Sequence, residues 1–266
     1  MADHLSSGFV GCPDGRVSLR HTAAGLYRWF GAQFLQMATD AGAEEYRFGL
    51  AIARETLARA DYFEAFPDGA TSITPDGHGR GYCLPPAVCY HVFDQFAGRG
   101  FDRPITVTAE SPCFREADRK AGGAGRLWEF TMREVVFVGA STWVAARREE
   151  WMSRTRDFAV SLGLVGSLEP ATDPFFGVTG RGKRLLQQVK GLKYELRLAV
   201  GEDSLPVASF NLHETFFGQR FAMTLADGVD AHSGCVAFGL ERWVLAFLEQ
   251  RGPAAAEAVL RVPSRR

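Results

Sequence analysis

A chain of 266 residues that is 46% hydrophobic can bury a sizeable core, and its length fits one large domain better than several small ones. Lys+Arg 30 against Asp+Glu 31 leaves a net charge of −1, so no global field draws it to nucleic acid or an anionic membrane, and any basic surface must be local. No apolar run is long enough to span a bilayer, and the polar opening MADHLSSGFVGCPDG has no apolar core of a signal peptide.

In chain order, residues 1–16 read as a loose lead-in with a turn at Pro13-Asp14-Gly15. Leu26, Trp29, Phe30, Phe34, Leu35 and Met37 recur at helical spacing and predict an amphipathic helix over Leu19–Ala41. Phe48–Ala51 is expected as a short strand and Ile52–Tyr62 as a helix that stops before the turn Phe66-Pro67-Asp68-Gly69. After the glycine-rich Gly77–Gly81, Leu84-Pro85-Pro86 opens a helix that carries Cys89 and runs towards Phe96. Pro104–Thr108 begins a strand that leads into Ala109–Gly139, which reads as strand, charged loop, strand, with Glu134 at the head of the apolar run Val135–Val138.

A long helix is predicted over Thr142–Leu162, with Trp143, Val144, Trp151, Phe158 and Leu162 on its apolar side. The turn Asp173–Gly177 enters Thr179–Arg184, the most basic local run, before Leu185–Lys190. Strands Tyr194–Val200 and Val207–His213 follow around a turn at Glu202–Pro206, and then an aromatic loop Thr215–Gly218. Gly234–Gly239 reads as a strand that feeds a helix containing Arg242, and the tail Pro263–Arg266 is expected to be disordered. Strands in hairpin-like order, with helices before and between them, predict an antiparallel sheet flanked by helices, an α+β class, in a single domain over 1–266.

Neither GxGxxG after a strand nor GxxxxGK[ST] occurs, so a phosphate site must be made of arginines, whose planar fork holds phosphate oxygens in pairs. Arg115 and Arg126 bracket the charged loop, and Arg242 stands near a helix N-terminus, a favourable place for an anion. Cys89, Glu134 and Cys235 leave two readings open: buried thiols acting as small apolar groups, or a zinc site of two thiolates, one carboxylate and one open position. His213 and Glu214 either serve a ligand or cap a strand. No GxSxG and no HExxH occurs. The five cysteines, Cys12, Cys83, Cys89, Cys113 and Cys235, are odd in number and scattered, unlike a disulfide framework, which leads to the expectation of a reducing cytoplasm.

Phe114-Arg115-Glu116, then Arg126-Leu127-Trp128-Glu129-Phe130 before an apolar strand, resembles motif 2 of class II aminoacyl-tRNA synthetases, and Gly234–Phe247 resembles motif 3. Pro86–Tyr90, Phe130–Glu134, Asp173–Gly177, Lys193–Leu196, Ser209–His213 and Ala231–Gly239 narrow the resemblance to the amino acid:[carrier protein] ligases, which are similar to the catalytic core of atypical archaeal seryl-tRNA synthetases. The resemblance covers about residues 45–248. It implies ATP and Mg²⁺ on an antiparallel sheet, a zinc ion held by Cys89, Glu134 and Cys235 that receives the substrate's amino group, and a homodimer. Arg115 resembles the α-phosphate arginine, Arg126 a second triphosphate contact and Arg242 the γ-phosphate arginine, with Glu195 and Asn211 where ATP, its magnesium and the amino acid bind.

Two departures stand out. The family pattern has a glutamate two residues after the motif 2 arginine, where this chain has Ala117, so Glu116 or Asp118 is expected to take that role. Thr131 stands where relatives often carry arginine. The implied chemistry activates a small amino acid as an aminoacyl adenylate and passes it to the phosphopantetheine thiol of an acidic carrier protein. Arg181, Lys183, Arg184, Lys190 and Lys193 then read either as its docking surface or as an ordinary solvated helix face. Competing readings are a tRNA-charging enzyme, disfavoured by the balanced charge, a ligase with another acceptor, and a regulatory protein that has lost catalysis.

Overall fold

The computed structural model describes residues 8–11, 15–67, 69–73, 81–119, 125–173 and 177–261. Its centre is a seven-stranded sheet of β1 (Glu44–Glu45), β2 (Ile105–Phe114), β3 (Glu129–Gly139), β4 (Gly166–Pro170), β5 (Lys193–Val200), β6 (Asp203–Glu214) and β7 (His232–Gly239). The spatial order is β4-β5-β6-β7-β3-β2-β1, antiparallel throughout except that the edge strand β1 runs parallel to β2.

Alternation decides which face each residue serves, because successive side chains of a strand point to opposite sides. Leu196, Leu198, Phe210, Val236, Phe238, Val135 and Phe137 join one core, under the long helices α1 (His21–Asp40), α3 (Ser141–Ser161) and α5 (Leu240–Arg261). Phe34 of α1 stacks on Phe238 with centroids 4.2 Å apart and planes at 7°. Each fully buried aromatic of this kind contributes roughly 1.5–3 kcal/mol. The intervening residues Lys193, Glu195, Ser209, Asn211, Glu134 and Cys235 therefore face the other way.

That second face is roofed by α2 (Cys89–Gln95), by a small three-stranded sheet of Ile52–Ala53, Ser72–Ile73 and Tyr82–Cys83, and by a short helix, Phe216–Arg220. Phe93 of α2 stacks on Phe217 at 4.0 Å, in a core that includes Val136, Val138 and Cys235. Pro85 and Pro86 precede α2, which starts at Cys89 rather than at the prolines.

Elsewhere the structure corrects the sequence reading in detail. Residues 1–16 are not wholly loose: Phe9–Gly11 pairs with Val17–Leu19. Phe48–Ala51 forms no strand, and the expected Ile52–Tyr62 helix divides at Asp61, whose φ of 51° is left-handed, into Arg54–Arg59 and Tyr62–Ala65. The basic run lies within α4 (Gly177–Val189), and the aromatic loop is the helix Phe216–Arg220. Edge strand β4 has too few apolar residues to signal itself, and α5 continues past a kink at Gly252-Pro253 to Arg261. Cys12, most of Gly77–Gly81 and Pro263–Arg266 lie outside the described residues. Among the described residues no helix is long and apolar enough to cross a membrane.

Candidate active site

Strand register builds the site. Glu134, Ala237, Ser209 and Glu195 are paired in one row across β3, β7, β6 and β5, and Val136, Cys235, Asn211 and Lys193 in the next. Glu134 and Cys235 are thus diagonal neighbours, and Cys89, the first residue of α2, comes down over them. One ligand atom from each of the three lies within 4.8 Å of the other two, and all three residues are buried. Glu134 Oε1 accepts the Val88 N–H at 2.8 Å. Burial, reinforced by Cys235, pushes the Glu134 carboxyl up to about 8. Cys235 is driven towards the thiolate, first by the thiol hydrogen bond from Cys89 and further by His213 and Asn211, while Cys89 retains its proton.

In their ionised forms a carboxylate and two thiolates buried together are costly unless a cation shares them. Two sulfurs and one carboxylate oxygen at this spacing are a donor set suited to zinc, with a fourth position left for a ligand.

Arg115 lies close to this trio, and Arg242 lies close to Arg115. Arg115 follows β2, its N–H donating to Trp128 O at 2.9 Å, and its guanidinium lies over Phe130 at 4.9 Å from the ring centroid, with Nη2 3.9 Å from Met132 Sδ. Its charge helps hold Glu134 down. Arg242, in the first turn of α5, donates to Gly125 O at 2.7 Å and Pro206 O at 3.0 Å. Burial, and then the Arg115 charge, push Arg242 down to about 10. Two cations that disfavour each other in a buried setting make a receptive place for a polyanion. Arg126 is exposed next to Gly125.

Glu116 and Thr131 have contacts that the chain alone does not announce. Glu116 Oε1 accepts the Trp128 indole N–H at 2.9 Å and the Thr71 hydroxyl, so it braces the loop against the small sheet. The Asp118 charge acts on both Arg242 and Tyr62; the Ala117 side chain lies outside the described residues. Thr131 belongs to the opposite face of β3, where its N–H donates to both Glu241 oxygens at 2.9 and 3.0 Å and its hydroxyl accepts from Tyr27 at 2.8 Å. Thr131 therefore belongs to the helix layer and not to the face that carries the trio.

Lys193 is not part of a basic surface. Its Nζ is 2.6 Å from Asp173 and 3.4 Å from Glu195, with 12% of its side chain exposed. Gln187 of α4 clamps Asp173, accepting from its N–H and donating to its carboxylate, both at 2.8 Å. Glu195 also pairs with Arg197 at 3.2 Å, and Asn211 donates to Ser209 at 3.2 Å and to Cys235 Sγ at 3.4 Å. Lys190 pairs with Glu214 at 2.8 Å. What α4 turns outward is Arg181 with Leu185, Leu186 and Val189; the Lys183 side chain lies outside the described residues and Arg184 is half-buried. The Asp173–Lys193 pair was missed by sequence reasoning, although Lys193 and Glu195, two apart on a strand, had to share Asn211's face.

A sheet of this topology, with a long helix layer behind it and arginines beside a buried trio in front, is the catalytic fold of class II aminoacyl-tRNA synthetases: the chain superposes on the seryl-tRNA synthetase of M. kandleri, solved in complex with a tRNA, with a TM-score of 0.78 and 22% identity over 93% of this chain and 56% of that one. The amino acid–[acyl-carrier-protein] ligase 1 of Bradyrhizobium diazoefficiens is 33% identical over 245 residues, which is 80% of this chain and 73% of the relative. Ligase 2 of the same organism is 34% identical over 212 residues, 77% of this chain and 61% of that protein. The chain belongs to the amino acid–[acyl-carrier-protein] ligase family. No family model matches it.

Proposed function

We propose that the protein uses ATP to activate a small amino acid as its adenylate and transfers the aminoacyl group to the phosphopantetheine thiol of an acidic carrier protein. The observation that carries this reading is a buried Cys89–Glu134–Cys235 trio with Arg115 close to Glu134 and Arg242 close to Arg115. Zinc, when bound by the trio, supplies a Lewis-acid seat for the neutral amino group of the substrate. Arg115 then orients the substrate carboxylate and the α-phosphate, while Arg242 and Arg126 hold the distal phosphates, with Glu195 and Asn211 near the magnesium and the substrate.

In the first step a carboxylate oxygen bonds to the α-phosphorus and pyrophosphate leaves. Positioning and charge stabilisation suffice, so no protein nucleophile is needed. In the second step the carrier thiolate attacks the acyl carbon and AMP leaves. The outer face of α4, with Arg181 beside exposed Leu185, Leu186 and Val189 and Arg184 half-buried next to them, suits an acidic partner that also offers an apolar helix face. The reading includes a homodimer and a cytoplasmic setting that keeps thiols reduced; the free, buried Cys83, Cys89, Cys113 and Cys235 are in keeping with the latter.

Amino-acid-dependent pyrophosphate exchange over a panel of amino acids tests the first step, and parallel trials with holo-carrier protein and bulk tRNA test the acceptor. Exchange with transfer to carrier alone is the expected result. Transfer to tRNA alone would overturn the acceptor, and no exchange with any amino acid would overturn the activity.

A further inference from the structure

His213 sits where the β6–β7 register breaks: Leu212 pairs with Gly234 and Glu214 with Ser233, leaving His213 as the extra residue of a bulge. Glu214 takes up the distortion with φ of 52°. Bulges of this kind re-aim a side chain. The imidazole is boxed edge-on by Phe93 at 5.7 Å and Phe217 at 4.9 Å. Nδ1 lies 3.0 Å from Ser233 Oγ, and Nε2 lies 3.7 Å from Cys235 Sγ. The close group of ligand atoms comprises Cys89, Glu134 and Cys235 without His213, so the ring meets the trio through one sulfur.

We infer that His213 is a positioning residue for Cys235: the Ser233 hydroxyl donates to Nδ1, the ring proton resides on Nε2, and that N–H is aimed at the Cys235 sulfur. With Asn211 Nδ2 on the same atom at 3.4 Å, the sulfur has two fixed donors on its outer side and its remaining lone pair directed at the trio. A thiolate held in this way keeps one orientation towards the trio, so the ligand is set before a metal arrives and metal affinity depends on the two donors. The inference rests on the proposed metal reading, and the test separates the two.

The experiment loads purified wild-type protein with Zn²⁺ or Co²⁺ alone and measures affinity by competition with a chromophoric chelator, together with the sulfur-to-cobalt charge-transfer band. His213→Phe keeps the aromatic box without a donor, His213→Gln keeps a donor, and Ser233→Ala frees the ring. Affinity is expected to fall about 10–100-fold in His213→Phe with a shifted band, to recover in His213→Gln, and to fall by less in Ser233→Ala. Unchanged affinity and band in His213→Phe, or equal losses in His213→Phe and His213→Gln, would overturn the inference and leave the metal reading standing. If His213→Phe does not fold, an unmoved band in Ser233→Ala overturns it. A wild-type protein that takes up neither ion overturns the metal reading itself, and the inference with it.

Discussion

Cys235 and Asn211 are registered partners on β7 and β6, and Asn211 Nδ2 donates to Cys235 Sγ at 3.4 Å. One sulfur thereby belongs to both the trio and the polar row that runs through Lys193 to the edge of the site. Cys235→Ala is expected to lose bound zinc and amino-acid-dependent pyrophosphate exchange together. Elemental analysis alongside the exchange assay checks this, and exchange retained without metal would count against the shared site.

Arg242 is anchored by two backbone carbonyls and pushed down by burial and Arg115. Arg242→Lys keeps a charge but loses the fork, so exchange is expected to slow by about 10²–10³ through loss of a preorganised donor. A rise in KM for ATP with no rise in KM for the amino acid would place the defect at the phosphates.

Lys193 joins Asp173 and Glu195 in a partly buried cluster. Burial raises the Asp173 carboxyl, but the Lys193 charge and hydrogen bond outweigh it and the net shift is downward. Lys193→Met leaves two partly buried carboxylates without their cation and is expected to cost about 1–3 kcal/mol of stability. Adding Asp173→Asn should recover part of the loss in denaturant melts, and a strictly additive double variant would argue against coupling.

Glu241 binds the Thr131 N–H from below the sheet, yet burial lifts its carboxyl from 4.5 to about 7. A folded-state value above the unfolded one means that the folded protein binds the extra proton. Its stabilising effect is full below the unfolded value of 4.5 and is lost as pH rises through about 7. Wild-type stability should therefore fall across that window relative to Glu241→Gln, as measured by denaturant midpoints at a series of pH values. Parallel curves for the two proteins would remove Glu241 from the account.

The outward face of α4 is expected to matter at the second step. Leu186→Glu with Arg181→Glu should raise the KM for carrier protein about tenfold or more, in proportion to the loss of an apolar anchor and of a complementary charge. Transfer assays at varied carrier concentration check it, and an unchanged KM would move the docking surface elsewhere.

Much of the site was readable before any coordinates. Cys89, Glu134, Cys235, Arg115 and Arg242 could be singled out from the chain alone, and the alternation of apolar and polar residues along Lys193–Val200 and Val207–His213 already separates a core face from a chemical one. Alternation is a local property, so the sequence alone carries it. It does not say which residues of distant strands lie opposite one another, because register is set by long-range pairing and by bulges. Only the tertiary structure decided that Lys193 is sealed between Asp173 and Glu195 instead of lying on a basic surface, that Thr131 turns to Glu241 and Tyr27, and that Glu116 braces Trp128. The bulge after Leu212 is the sharpest case: one unpaired residue brings His213 to the Cys235 sulfur, and no spacing in the chain announces it.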